Sequence, residues 1–225
     1  MLEAIVFDFD GVICNTEPLH GRAFARALAG CSIPLSEKDY LARYAGLNDR
    51  AVLQAVFQDA GRTLTDDACE SLLHVKNEAY FAMIANGIDR LPGVDRLVPR
   101  LARQWPLAIC SGARRVEIET ILRPAGLFEC FQFVVSADEV ASSKPDPAGY
   151  LETLKQLRRI LPESSAADCL AIEDTEHGVA AARAAGLKTL AVCGPRTARR
   201  RPFAADATVP SLRSVTAAGL AGMFE

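Results

Sequence analysis

The chain has 225 residues, half of them hydrophobic and 24% charged, with a net charge of −3. That describes a globular protein with one large domain, or one domain carrying an insertion, and it excludes disorder as the main state. No apolar run approaches the ~18 residues of a membrane span, the first ten residues lack the basic start of an export signal, and a pI near 5.7 speaks against non-specific nucleic-acid binding.

In chain order, the first apolar run, Ala4–Phe7, reads as a strand. From about Thr16 to Arg90 no strand is expected. Helices are predicted over Glu17–Ala29, Glu37–Tyr44, Arg50–Ala60 and Asp66–Ala85, with Ser36, Asn48 and Thr65 as caps or turn residues. Then short apolar runs return at Leu107–Cys110, Phe133–Val135, Cys169–Ile172 and Thr189–Val192, separated by helical stretches Val94–Arg103, Val116–Pro124, Pro147–Ile160 and Glu176–Ala185. Asp206–Pro210 reads as a last short strand before a terminal helix. Non-alternating runs of this length are strands buried on both faces, so the fold class is α/β, a Rossmann-like parallel sheet. The helical block is too long for a simple crossover. It is expected as an inserted domain over 15–91, with the core formed by 1–14 and 92–225 and hinges near Ile13–Asn15 and Leu91–Gly93. Seven cysteines without metal or disulfide spacing are expected as free thiols in a reducing cytoplasm. Arg199–Arg201 reads as a solvated turn.

Ligands of open α/β sheets bind beyond the carboxyl ends of the strands. Those ends carry Asp8 and Asp10, then Ser111 and Gly112, then Lys144, then Glu173 and Asp174. Asp8 and Asp10 are alternate residues of an extended segment, so both can face one volume, and Gly11 permits a tight exit. Two carboxylates in unlike environments can divide into a nucleophile and a general acid/base. Four carboxylates at one rim repel unless a hard divalent cation joins them, and Mg²⁺ suits oxygen ligands beside phosphate. With Lys144 it brings the rim within one charge of neutrality. Ser111 can donate to a phosphoryl oxygen ahead of a helix N-terminus. Taken singly, Asp-x-Asp-Gly is also a common turn, and Glu173-Asp174-Thr175 also reads as a helix cap.

The ordered set DFDGVICNTEP (Asp8–Pro18), ICSGA (Ile109–Ala113), SSKPDP (Ser142–Pro147) and AIEDTEHGVAAARAAG (Ala171–Gly186) resembles the four motifs of the haloacid dehalogenase-like hydrolase superfamily. The inserted helices resemble the small cap of its phosphatase and phosphohexomutase branch, in which β-phosphoglucomutases fall. The resemblance implies Asp8 as nucleophile and Asp10 as the acid that protonates the leaving oxygen and then deprotonates water. It implies Ser111, Gly112 and Lys144 around the phosphoryl group. Mg²⁺ would be held by Asp8, the Asp10 main-chain carbonyl and Asp174, with Glu173 in direct or supporting contact. Asn15 and Ser143 depart from the usual pattern at positions that do no chemistry. Asp10 argues against dehalogenation, and the lysine-free cap loop Tyr44–Arg50 argues against phosphonate cleavage.

Water as acceptor gives a phosphatase, and a second sugar hydroxyl gives a mutase. Thr16, His20, Gly46 and Lys76 resemble mutase positions, and Arg50 is displaced by one. His20 also reads as a surface or hydrogen-bonded helix residue, and Arg50 and Lys76 as solvated helix charges. Where a mutase pattern has Ser, Lys and Asn, this chain has Ala113, Arg114 and Arg115. A phosphatase of a small phosphorylated metabolite, a sugar phosphate above all, is therefore expected, with a phosphohexomutase as the alternative. The size is compatible with a monomer, and cap closure is expected to shield Asp8 from bulk water.

Overall fold

Short apolar runs can form strands without alternation only when helices cover both faces of the sheet. The computed structural model, which describes residues 1–45, 47–85, 87–193 and 204–224, has that arrangement. In chain order, β1 (Ala4–Phe7) is followed by α1 (Glu17–Leu28), α2 (Glu37–Arg43), α3 (Asp49–Asp59), α4 (Asp66–Ile84) and α5 (Val94–Leu101). Then come β2 (Leu107–Cys110), α6 (Arg115–Leu122), β3 (Phe133–Val135), α7 (Ala148–Leu157), β4 (Cys169–Glu173) and α8 (Glu176–Ala184). β5 (Lys188–Val192), β6 (Ala207–Val209) and α9 (Ala217–Ala221) complete the order. The strands pair in parallel as β3-β2-β1-β4-β5-β6. This is the doubly wound order of Rossmann folds, whose direction of winding reverses between β1 and β4. Every residue of β1 and β4 is buried. Ala4 and Val6, two apart and so on one face, pack with Cys169, Ala171, Tyr150, Leu154, Ala181 and Ala182.

The strands fall where the apolar runs predict, with small differences at their ends. β4 runs one residue further than expected and takes in Glu173. α3 begins at Asp49 because the Asn48 side chain accepts from Ala51 N at 2.9 Å and so fixes the first turn. Ser36 and Thr65 cap α2 and α4 in the same way. α7 ends at Leu157, three residues short of the expectation.

Two compact units divide the chain: Met1–Asn15 with Ile88–Glu225, and Thr16–Gly87. The second unit returns to the first a few residues before Pro92, where the core was expected to resume. Arg90 already forms an antiparallel bridge with Cys14, and Leu91 N donates to Ile13 O at 2.7 Å. Within the helical unit, Phe24, Leu28, Tyr40, Leu53, Val56 and Phe57 form a core of their own. The seven cysteines are free. Among the described residues no helix is long and apolar enough to cross a membrane. Gly46 and the Arg199–Arg201 run lie outside the described residues.

Candidate active site

Asp8 is the first residue beyond β1, and Glu173 is the last of β4, so both stand where the sheet order reverses. The backbone holds them in register: Phe7 pairs with Ile172, and Asp8 N donates to Ile172 O at 2.9 Å. Asp174 follows directly. One oxygen from each of Asp8, Glu173 and Asp174 lies within 4.8 Å of the others. Lys144, from the loop before α7, closes the group. Its Nζ donates to Asp8 Oδ1 at 2.8 Å, to Glu173 Oε1 at 2.7 Å and to the Cys110 carbonyl at the end of β2 at 3.0 Å.

Burial makes these charges interdependent. Glu173 is completely inaccessible to solvent. Desolvation raises its pKa; Lys144 opposes the shift and the Asp8 carboxylate adds to it. Desolvation disfavours the Lys144 ammonium too, but Asp8 and Glu173 outweigh it and the pKa rises. The lysine therefore stays charged. Tyr150, buried on α7, donates its hydroxyl to Glu173 Oε1 at 2.6 Å. Its pKa is pushed well up, first by burial and then by Glu173, so it remains a protonated donor. Nothing in the sequence singled out Tyr150, because a tyrosine on an apolar helix face reads as core.

Two glycines make room for the carboxylates. Gly11 has φ +80°, and a Cβ there would meet Asp174 Oδ2 at 1.9 Å. In α8, a Cβ on Gly178 would meet Glu173 Oε2 at 2.0 Å. Thr175 caps α8, accepting from Gly178 N at 3.0 Å. Helix capping and the acidic cluster thus coexist in adjacent residues. Three clustered carboxylates are an all-oxygen, hard donor set, which suits a hard divalent cation better than a softer metal. Asp10 is half-buried, and its carboxylate is not one of the three. Its segment is fixed by Gly11 N donating to Cys14 O at 2.7 Å. Ser111 is nearly buried; its Oγ accepts from Ala113 N at 3.1 Å, which leaves its hydroxyl proton to donate. Gly112 is exposed, with open space around its Cα.

The helical unit holds a second buried charge. Lys76 on α4 was expected as a solvated helix cation, yet it is 0% exposed. Its Nζ lies 2.6 Å from Asp49 Oδ2 and 5.1 and 5.2 Å from the ring centres of Phe24 and Tyr80. His20 stacks on Tyr80 at 4.2 Å. Its pKa is lowered to about 3, by burial first and then by Lys76, with Asp49 opposing. Its imidazole is therefore neutral, half-buried against a ring of α4. Thr16 is buried just ahead of α1. Arg50 lies on the surface of its unit, paired with Asp66 and Glu70. In the core unit, Arg115 donates to Val134 O and Glu139 Oε1, both at 2.7 Å. His74 pairs with Glu78 on a helix surface, and Trp105 donates to Leu2 O at 3.0 Å as a packing residue.

Known proteins resemble this chain in sequence and in fold. Protein CbbY of Rhodobacter capsulatus is 34% identical over 222 residues, 94% of each chain. Beta-phosphoglucomutase of Bacillus subtilis (strain 168) is 31% identical, over 85% of this chain and 83% of its own. Fructose-1-phosphate phosphatase YqaB of Escherichia coli (strain K12) is 30% identical, over 84% and 95%. Among solved structures, a mutant CbbY of Rhodobacter sphaeroides in complex with xylulose-(1,5)bisphosphate superposes with a TM-score of 0.84 at 26% identity, covering 98% of this chain and 99% of that one. Residues 2–186 match the family profile of haloacid dehalogenase-like hydrolases, and with these likenesses to relatives and fold the chain belongs to that family.

Proposed function

We propose that this chain hydrolyses the phosphate monoester of a small, otherwise uncharged sugar through a phosphoaspartyl intermediate, with Mg²⁺ as cofactor. The chain is a phosphoric monoester hydrolase. The observation that carries the finer reading is Lys144 bridging Asp8 Oδ1 and Glu173 Oε1 beside a third carboxylate, at the reversal of the sheet. Phosphoryl transfer needs in-line positioning and charge neutralisation above all.

In this reading an Asp8 oxygen attacks phosphorus as the bond to the sugar oxygen breaks, and Asp10 gives that oxygen its proton. Asp10, now a carboxylate, takes a proton from water as the water attacks the phosphoaspartate. Phosphate leaves, and Asp8 is restored. Lys144 and the Ser111 hydroxyl hold the transferring group, and the peptide at Gly112 stands open beside them. Asp8, Asp174 and the Asp10 carbonyl would hold Mg²⁺, with Glu173 in support. When bound, the ion supplies the positive charge that lets a phosphate dianion approach an aspartate.

Charge pairing favours water over a second sugar hydroxyl as acceptor. A mutase must also grip the phosphate that is not transferred. The candidate cations have carboxylate partners of their own: Lys76 with Asp49, Arg50 with Asp66 and Glu70, Arg115 with Glu139, and Arg114 more loosely with Asp138 at 3.9 Å. The test is a Mg²⁺-dependent screen of sugar phosphates scored separately for free phosphate and for isomerised sugar, with Asp8→Asn as control. Free phosphate from the native chain and none from the variant is the expected result. An Asp8→Asn protein that turns over at a near-native rate ends the proposal.

A further inference from the structure

An ammonium group has three N–H donors and no more. Those of Lys144 are all engaged, by Asp8 Oδ1, Cys110 O and Glu173 Oε1. To hold a phosphoryl oxygen, the role the phosphatase reading gives it and on which this inference rests, the lysine must release one of them. The acceptor released must not be stranded, because a buried carboxylate that loses its partner is costly. Glu173 is the acceptor prepared for this. Its Oε1 takes the Tyr150 hydroxyl at 2.6 Å as well as the lysine, and its Oε2 accepts from Asp174 N at 3.3 Å. Gly178 leaves the carboxylate the space in which it sits.

We propose that Tyr150 is a positioning residue that retains Glu173 while Lys144 turns one N–H from that carboxylate to the phosphoryl group. The tyrosine touches no reacting atom. It sits on α7, six residues beyond the lysine, with its ring 5.2 Å from Nζ, so one short segment carries both donors to the same oxygen. The lysine is exchanged between two anions while Glu173 keeps a donor throughout. Without the hydroxyl, each transfer of the lysine leaves Glu173 Oε1 bare, and the phosphoryl group is bound more weakly.

The test uses the full chain with Mg²⁺. Tyr150→Phe keeps the ring and removes only the donor. Relative to the native protein, binding of orthovanadate, measured by calorimetry, should weaken about tenfold or more. The kcat for p-nitrophenyl phosphate should fall by a similar factor, more than KM rises. In a Lys144→Met background, where there is no lysine to exchange, adding Tyr150→Phe should change vanadate affinity less than twofold. A Tyr150→Phe protein that binds vanadate within twofold of native, or that loses the same factor with and without Lys144, overturns the proposal. A structure of the native protein with vanadate gives an answer that needs no variant. Lys144 should have left Glu173 with the Tyr150 bond intact, and a lysine still on Glu173 that has given up Cys110 O instead refutes the exchange. A native protein that neither binds vanadate nor releases phosphate from any ester refutes the phosphatase reading itself, a result distinct from the others.

Discussion

Gly178→Ala sets helix propensity against the acidic cluster, and the two predict opposite signs. Gly178 is the third residue of α8. At an ordinary helical position, replacing glycine by alanine adds up to about 1 kcal/mol of stability. Here the new Cβ would lie 2.0 to 2.2 Å from the Glu173 carboxylate atoms. A flexible surface side chain would move aside, but Glu173 is fully buried and held by Lys144 and Tyr150. Forcing a methyl into a packed interior costs about 1–3 kcal/mol. Displacing the carboxylate weakens hydrogen bonds to a charged group worth about 1.5–3 kcal/mol each. Even after the helix gain, the variant should lose about 2–4 kcal/mol. Urea unfolding followed by circular dichroism measures this directly, with hydrolysis of p-nitrophenyl phosphate followed in parallel and expected to drop at least a hundredfold. A Gly178→Ala protein as stable as native, with unchanged kcat, refutes the packing argument.

Three other outcomes follow from the same geometry. Gly11→Ala combines a positive φ with a 1.9 Å approach to Asp174, so Mg²⁺ affinity measured by titration should fall by at least tenfold in protein that stays folded. Asp49→Ala strips the partner from a lysine with no exposure. Breaking a buried pair costs about 3–5 kcal/mol, but Asp49 is itself 37% exposed and water can enter, so about 2 kcal/mol is expected, read as faster amide exchange in α1 and α4. His20 has a folded pKa near 3 against an unfolded value of about 6.5, so the unfolded chain binds more protons below pH 6.5 and stability falls as pH falls through that range. The loss should reach about 1 kcal/mol by pH 5.5, and His20→Gln should flatten that acid limb in thermal melts.

The sheet and its rim were legible because they obey local rules. Runs such as Ala4–Phe7 and Leu107–Cys110 have no polar alternation, so both faces must be covered, and polar residues at their ends then fall on one edge. Asp8, Lys144, Glu173 and Asp174, which meet there, could each be named in advance. What stayed hidden depends on partners far apart in the chain. Lys76 looks like any helix-surface cation until Asp49, 27 residues away, and two aromatic rings enclose it. Tyr150 carries no signal of its own, since its partner Glu173 lies 23 residues on, at the end of β4. Gly178 reads as a weak helix residue, and its reason is a carboxylate, not the backbone. The return from the helical unit was placed a few residues late because Arg90 is polar and its pairing with Cys14 is tertiary.

That pairing reaches beyond the boundary it marks. The chain quits the core just after Cys14 and rejoins it at Arg90 and Leu91, and these positions are bonded neighbours. Whatever polypeptide is strung between them begins and ends at one doorway, and closing a longer or shorter loop across a fixed gap changes the free energy only slowly with length. The sheet with its acidic rim is thus insulated from the size of the insert, which can lengthen or shorten at that doorway without redrawing the strands that carry the rim.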